Sequence, residues 1–401
     1  METHEMPPDP VRLSSAPFAL DIHPELPAVQ PALRLHFVDG LRGLAMLMVL
    51  LYHCWLFGGQ WQLAVPLGRG HSVDLAQMLS FGHIGVNLFL VLSGFCLYWL
   101  FTKAGRPEPT LWEFAKKRCR RILPPYYAVL VLCGGAALAE ALRDHDPAAA
   151  HYTLNWLWIH ALMAQNLRPG YVLTINGSLW SLALEFQLYI VFPVLVEAYR
   201  RFSPRRVLWV VLLFCSMFRF AVVQGQFVPD NGLGYVLTYS VFGRAFEFAL
   251  GMAAALLVAR RHSGQPLRLR PADYALAAGV VVAAVADGRH GHFQTLTDAM
   301  WGLLFAALLV GASAAGSVLH RALSSPWLVS LGIFSYSVYL IHLPLVLALD
   351  TFVLSRHWPA APLSVFVIAP LMLLLGYGFF CVFERPFMTV PKIKYTSRDE
   401  T

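Results

Sequence analysis

Charge is scarce in this sequence. Only 13% of its 401 residues are Asp, Glu, Lys or Arg, against 57% hydrophobic residues, and the mean hydropathy is +0.57. That balance excludes a soluble domain of this size and points to a polytopic membrane protein. Cysteine is scarce and scattered: no two of the six lie close enough for a CxxC or Cys/His zinc spacing, so no metal site is expected. Cys54, Cys96, Cys133, Cys215 and Cys381 fall in apolar runs and Cys119 in a basic loop; the thiols read as packing residues without a structural disulfide. The net charge of +7 does not argue for nucleic acid, because the basic residues sit between apolar runs and not over one face of a soluble module. The first thirty residues lack the basic segment and short apolar core of a secretory signal, so the first span is expected to stay uncleaved. Residues 1–36 instead carry Pro7, Pro8, Pro10, Pro17, Pro24, Pro27 and Pro31 with charges of both signs, the composition of a disordered cytoplasmic tail.

What the chain has in quantity is long apolar runs. They fall at 40–57, 83–101, 121–142, 178–199, 207–223, 235–259, 272–287, 296–317, 328–353 and 363–384. The fold class expected is therefore an all-α integral membrane protein of about ten transmembrane helices. A shorter piece, Tyr152 to Ala164, is too short to span and is expected to re-enter or lie at the interface. Basic residues collect over Lys103–Arg121, Arg200–Arg206, Arg260–Arg270 and Arg385–Arg398, whereas the alternate loops hold only Arg69, Arg143, Arg168, Arg289 and Arg356. By the positive-inside rule both termini are cytoplasmic, including a short tail over 389–401.

The first span carries Arg42 near its start and His53 near its end. Eleven residues at about 100° each bring the two to within roughly 20° of one stripe, with Met46 and Val49, about 16 Å apart along the axis. Ionisable residues inside a span are expensive and normally face a protein interior or wet cavity. The alternative is a histidine satisfied by a neighbouring helix.

Six pieces then occur in order: the Arg42–His53 helix, Gly85-Val-Asn-Leu-Phe-Leu-Val-Leu-Ser-Gly-Phe95, Lys116-Lys-Arg-Cys-Arg-Arg-Ile-Leu-Pro-Pro-Tyr-Tyr127, Trp180-Ser-Leu-Ala-Leu-Glu-Phe-Gln-Leu-Tyr189, Ser335-Tyr-Ser-Val-Tyr-Leu-Ile-His342 and Glu384-Arg-Pro-Phe387. Over residues 36 to 388 or so, the chain resembles the membrane acyltransferase-3 family. The resemblance implies a membrane domain over 37–388, in the bacterial cytoplasmic membrane. It implies transfer of an acyl group, often acetyl, from acyl-coenzyme A as co-substrate, with no bound cofactor, to a hydroxyl of a cell-surface glycan or secreted small molecule. Asn87 stands where many relatives have aspartate, and Phe186 follows Glu185 where a second acid is common. A fused extracytoplasmic esterase-like domain is not expected here, since the chain ends soon after the last span.

Read for chemistry alone, an ester forms when a base relieves a hydroxyl of its proton and the oxygen attacks a thioester carbonyl; histidine suits that step. His53 is the candidate base. Glu185, about seven residues into a span entered from outside, is expected at a matching depth and could orient the imidazole; the alternative pairs it with Arg219 or Arg244. Ser181 and Tyr189 lie four residues either side of Glu185 on nearly one face, beside Trp180, as acceptor or carboxylate partners. Arg118 and Arg121, three apart before a helix break expected at Pro124-Pro125, could clamp the donor's phosphates or merely anchor the loop. Arg244 and Glu247 could neutralise each other on one helix. Ser335, Tyr339 and His342 share a stripe that could glue helices or line the cavity, and Asn87 and Ser93, flanked by Gly85 and Gly94, suit close helix approach. Outside the membrane, residues 144–177 bring Tyr152, Trp156, Trp158 and Tyr171 together with His145, His151, His160, Gln165 and Asn166, a set suited to a sugar or polyketide acceptor or to an interfacial belt. A proton-coupled transporter would also carry intramembrane His, Arg and Glu, although no internal repeat supports one.

Overall fold

The computed structural model describes residues 35–68, 71–102, 110–224, 239–265, 278–280, 282, 294–359 and 363–388. The tails 1–34 and 389–401, and nearly all of the expected span 272–287, lie outside the described residues.

The chain is built from α1 (His36–Phe57), a small antiparallel hairpin β1 (Ala64–Gly68) and β2 (His71–Asp74), α2 (Gly85–Tyr98, entered through a 3₁₀ segment Leu75–Ile84), α3 (Leu111–Arg143) and α4 (Pro147–Ala161). Then follow α5 (Trp180–Arg201), α6 (Pro204–Gln224), α7 (Val241–His262), α8 (Gln294–Ala312), α9 (Val318–Leu323), α10 (Pro326–Ser355) and α11 (Ala369–Phe379, flanked by π turns at Ser364–Ile368 and Phe380–Glu384). Seven of the described helices are long and apolar enough to cross a membrane. Of the remaining expected spans, 207–223 is the helix α6 with a basic first turn, and 296–317 ends at Ala312 as a shorter apolar helix. An apolar run fixes where a span can be, but not whether the helix within it is continuous.

Glycine sets how closely the central helices approach. A Cβ on Gly332 of α10 would meet the Asp39 carbonyl oxygen of α1 at 1.8 Å, and one on Gly94 of α2 would meet the Phe248 carbonyl of α7 at 2.0 Å. Backbones this close gain dispersion contacts that no larger residue permits in a bilayer. The α1–α10 and α2–α7 pairs form the core, with Leu41, Ala45, Leu88, Val91, Phe248 and Leu340 fully or almost fully buried.

Two expectations need correction. The helix does not break at Pro124-Pro125: α3 begins at Leu111, capped by the reciprocal Thr110–Glu113 box, and runs through both prolines. Proline removes two backbone donors there, while neighbouring groups hold the turn. Tyr336 Oη donates to the Ile122 carbonyl, and Tyr126 and Tyr127 Oη donate to the His160 and Ala161 carbonyls, each at 2.9 Å. The basic residues Lys116 to Arg121 therefore lie on a helix, not a loop.

The second concerns re-entry. α4, at 15 residues, is too short to span, as expected, and Asp146 caps its first turn. The stretch that dips into the bundle is the one after it, residues 163–179. Gln165 and Asn166 are fully buried; Gln165 Nε2 donates to the Leu179 carbonyl and Asn166 Nδ2 to the Tyr239 carbonyl, each at 3.0 Å. Asn176 Nδ2 donates to the Leu340 carbonyl at 2.8 Å, and Ser178 Oγ, 2.8 Å from Asn176 Oδ1, lies 3.3 Å from the Tyr339 carbonyl, both carbonyls in the middle of α10. Non-helical backbone at this depth is tolerated because its polar groups are satisfied by protein. Burial holds the His160 imidazole below its ordinary pKa, while Nδ1 faces the Trp156 carbonyl at 2.8 Å. Gln165, Asn166 and His160 are thus spent on structure, and the exposed Tyr152 and Trp158 of α4 are the members of the aromatic set that face outward.

Candidate functional site

α5 begins inside the bundle, because the re-entrant stretch delivers Trp180 near the level of Tyr339, and Glu185 consequently lies deeper than a span entered from the surface would place it. Its Oε1 accepts from Ser93 Oγ at 2.9 Å and from Tyr189 Oη. It does not meet His53, nor does it pair with Arg219 or Arg244, which are engaged elsewhere. The matched depth expected for His53 and Glu185 fails for this reason.

Glu185 faces a cavity of about 110 Å³. Its wall holds Arg42 of α1, Ser93 and Cys96 of α2, Arg118 and Arg121 of α3, Ser181, Glu185 and Tyr189 of α5, and Ser335, Tyr336 and Tyr339 of α10. Three arginines against one carboxylate give it a positive wall, suited to an anion. Arg42 is fixed from two sides, with Nη1 3.2 Å from Asp39 Oδ1 and Nη2 3.2 Å from Cys96 Sγ. Arg121 Nη2 lies 3.8 Å from Oε1 of the fully buried Glu384, whose Oε2 accepts from Ser337 Oγ at 2.6 Å. The ring pairs Tyr98–Tyr199 and Trp99–His262 tie the ends of α2, α5 and α7 together, so the basic clusters at Arg200–Arg206 and Arg260–Arg261 gather at the Arg42 end of the bundle.

Towards its other end the cavity is lined by the edge-on rings of Phe89 and Tyr339, 5.7 Å apart. Tyr339 Oη lies 2.6 Å from Ser181 Oγ, which donates to the Ser178 carbonyl, so the tyrosine is the donor between them. Immediately beyond is His342, its ring 5.4 Å from that of Tyr339, and its Nε2 is 3.0 Å from Nδ1 of His53. The structure thus joins Arg42, Arg118, Arg121, Ser93, Ser181, Glu185, Tyr189 and Tyr339 in one cavity and sets His53 and His342 as an imidazole pair one residue layer past it.

Four further candidates belong neither to the cavity nor to the imidazole pair. Trp180 packs against Tyr239 with the rings tilted, centroids 4.5 Å apart. Asn87, Arg244 and Glu247 belong to a separate buried network. Arg244 Nε is 2.8 Å from Glu247 Oε1, and Asp298 Oδ2 takes Arg244 Nη1 at 3.1 Å and Arg219 Nη1 at 3.0 Å. Asn87 Nδ2 donates to Asp298 Oδ1 at 3.0 Å and faces Glu247 Oε1 at 3.4 Å. Arg244 and Glu247 do pair, as their spacing suggests; Asp298, which makes the network, was missed. A signal was available, for it is the one carboxylate in the apolar run 296–317.

The acyltransferase-3 family's "Acyltransferase domain" profile matches residues 35–381. Acyltransferase MdmB of Streptomyces mycarofaciens is 26% identical over 380 residues, covering 88% of this chain and 92% of its own. The putative peptidoglycan O-acetyltransferase YrhL of Bacillus subtilis is 28% identical over 332 residues, 77% of this chain and 48% of its own. The O-acetyltransferase OatA of Staphylococcus aureus is 25% identical over 363 residues, 84% of this chain and 54% of its own. The chain thus spans nearly all of the first and about half of the other two. No solved structure matches. With the profile covering most of its length and its motifs gathered about one cavity, this integral membrane protein belongs to the acyltransferase-3 family and is an acyltransferase of groups other than amino-acyl groups.

Proposed function

We propose that the protein moves an acyl group, acetyl in the first instance, from acyl-coenzyme A to a hydroxyl of a glycan or secreted small molecule. The observation that carries this reading is a cavity walled by three arginines at one end of α1, with a pair of imidazoles at the other end of the same helix. Coenzyme A is a polyanion whose phosphates cannot enter hydrocarbon cheaply, so its site belongs at the arginine end. Arginine's planar fork suits phosphate oxygens; Arg118 and Arg121 take that role, with Arg42 further along the path. The pantetheine arm is long and flexible enough to carry the thioester past Tyr339.

There His53 takes the proton of the acceptor hydroxyl as its oxygen attacks the thioester carbonyl; the C–O bond forms, the C–S bond breaks, and the proton ends on the coenzyme A thiolate. Basic clusters at the Arg42 end make that end cytoplasmic in our reading, so acceptor and donor approach from opposite faces of the cytoplasmic membrane. The relatives' names favour an O-linked acceptor, peptidoglycan in one case. A proton-coupled transporter, which the same intramembrane charges would suit, consumes no thioester. Coenzyme A release by purified protein, measured with a thiol reagent with and without acceptor, tests the reading: acceptor-dependent release lost in His53→Ala supports it, and full release in that variant removes His53 as the base.

A further inference from the structure

The carboxylate expected to orient His53 is engaged elsewhere, and the group that stands in its place is the His342 imidazole. We infer that His342 is the positioning residue of the base: it fixes the tautomer of His53 that leaves Nε2 free of a proton, and it holds the positive charge that His53 acquires. This deepens the reading of His53 as the base and rests on it.

The hydrogen bonds carry the argument. His342 Nδ1 lies 2.8 Å from the Tyr339 carbonyl oxygen, which can only accept, so Nδ1 bears the proton. His342 is 2% exposed in the middle of α10, where an unpaired charge is costly. The ring is therefore neutral and its Nε2 is an acceptor. The atom facing that Nε2 at 3.0 Å is Nδ1 of His53, which must donate. A neutral His53 with its proton on Nδ1 presents the lone pair of Nε2 to substrate, the state a general base needs.

When Nε2 takes a proton, the Nδ1–H bond to His342 becomes charge-assisted and strengthens, so the pair stabilises the charged form as it develops. The Val49 carbonyl, four residues back on α1, also accepts a hydrogen bond from the His53 ring; the other contacts hold the rings. Tyr52 and Phe57 pack their rings against His53, with centroids at 5.0 and 6.0 Å, and His342 is held against Tyr339. The exposed His83 reaches His53 only through the Tyr52 ring.

The test compares His342→Gln, whose amide can both donate to the Tyr339 carbonyl and accept from His53, with His342→Leu, which fills space without a polar atom. Acyl transfer is measured on purified, folded protein after His53→Ala has been shown inactive. We expect His342→Leu to lower kcat about a hundredfold with the KM for acyl-coenzyme A unchanged, and His342→Gln to stay within about tenfold of the wild type. If His342→Leu does not purify folded, His342→Met replaces it. An apolar variant that keeps kcat, or a folded His342→Gln as poor as the apolar one, overturns the inference while leaving His53 as base; an active His53→Ala overturns the base itself.

Discussion

Removing the Asp298 carboxylate should destabilise the protein more than removing it together with one of its arginines. Asp298 Oδ2 serves Arg219 and Arg244 at once, and Asn87 holds its other oxygen. With charge centres about 4 Å apart and an effective dielectric constant of about 20, each pair is worth roughly 4 kcal/mol before desolvation. In Asp298→Ala, Arg244 keeps Glu247, but the five-residue network carries one surplus positive charge. Breaking a buried pair from one side costs about 3–5 kcal/mol. Replacing both partners by apolar groups is often close to neutral, so Asp298→Leu with Arg219→Leu should recover most of that loss. At about 1–2 °C per kcal/mol for a chain of this length, the single variant should melt about 5 °C below the wild type and the double within about 2 °C of it. Fluorescence-detected thermal unfolding of detergent-purified protein reads the shift. A double variant that melts lower than Asp298→Ala would refute the view that charge balance, rather than the shape of the cluster, holds these helices together.

Other outcomes follow from the same geometry. Arg118→Ala with Arg121→Ala should raise the KM for acyl-coenzyme A severalfold and steepen the loss of activity with salt; sealed vesicles of known orientation check the side, and transfer supported only from the face away from Arg42 inverts the donor path. Glu185→Gln removes the one carboxylate of the cavity wall but keeps an oxygen for Ser93 and Tyr189, so the KM for the anionic donor should fall, and a rise would refute that account. Gly332→Val should abolish folded protein in size-exclusion profiles, because its Cβ would stand 1.8 Å from the Asp39 carbonyl oxygen.

The periodicity of α1 placed Arg42 and His53 on one helix face, and the structure brings both to the site. Spacing also paired Arg244 with Glu247 and joined Ser181 and Tyr189 to the wall that holds Glu185. Spacing cannot give a depth, however: a run of apolar residues does not reveal that its helix is entered from within the bundle, and the depth assigned to Glu185 erred accordingly. Nor does local pattern reveal a pairing 289 residues apart, such as that of His342 with His53. The helix break expected at Pro124-Pro125 was wrong because tyrosines from α10 and from α3 itself tie down the turn, a matter of tertiary contact and not of local propensity.

The re-entrant stretch also fixes an order of assembly. Residues 163–179 cannot enter the bilayer as a span, since their polar backbone is satisfied only by protein. Two of the partners they need, the carbonyls of Tyr339 and Leu340, are synthesised more than 160 residues later. The helices before α10 can insert one by one, but the start of α5 has no resting place until α10 arrives beside α1. The cavity is therefore among the last parts to form, closed by contacts of high sequence separation, and a growing chain that has not yet made α10 carries Arg42, Arg118, Arg121 and His53 without a cavity between them.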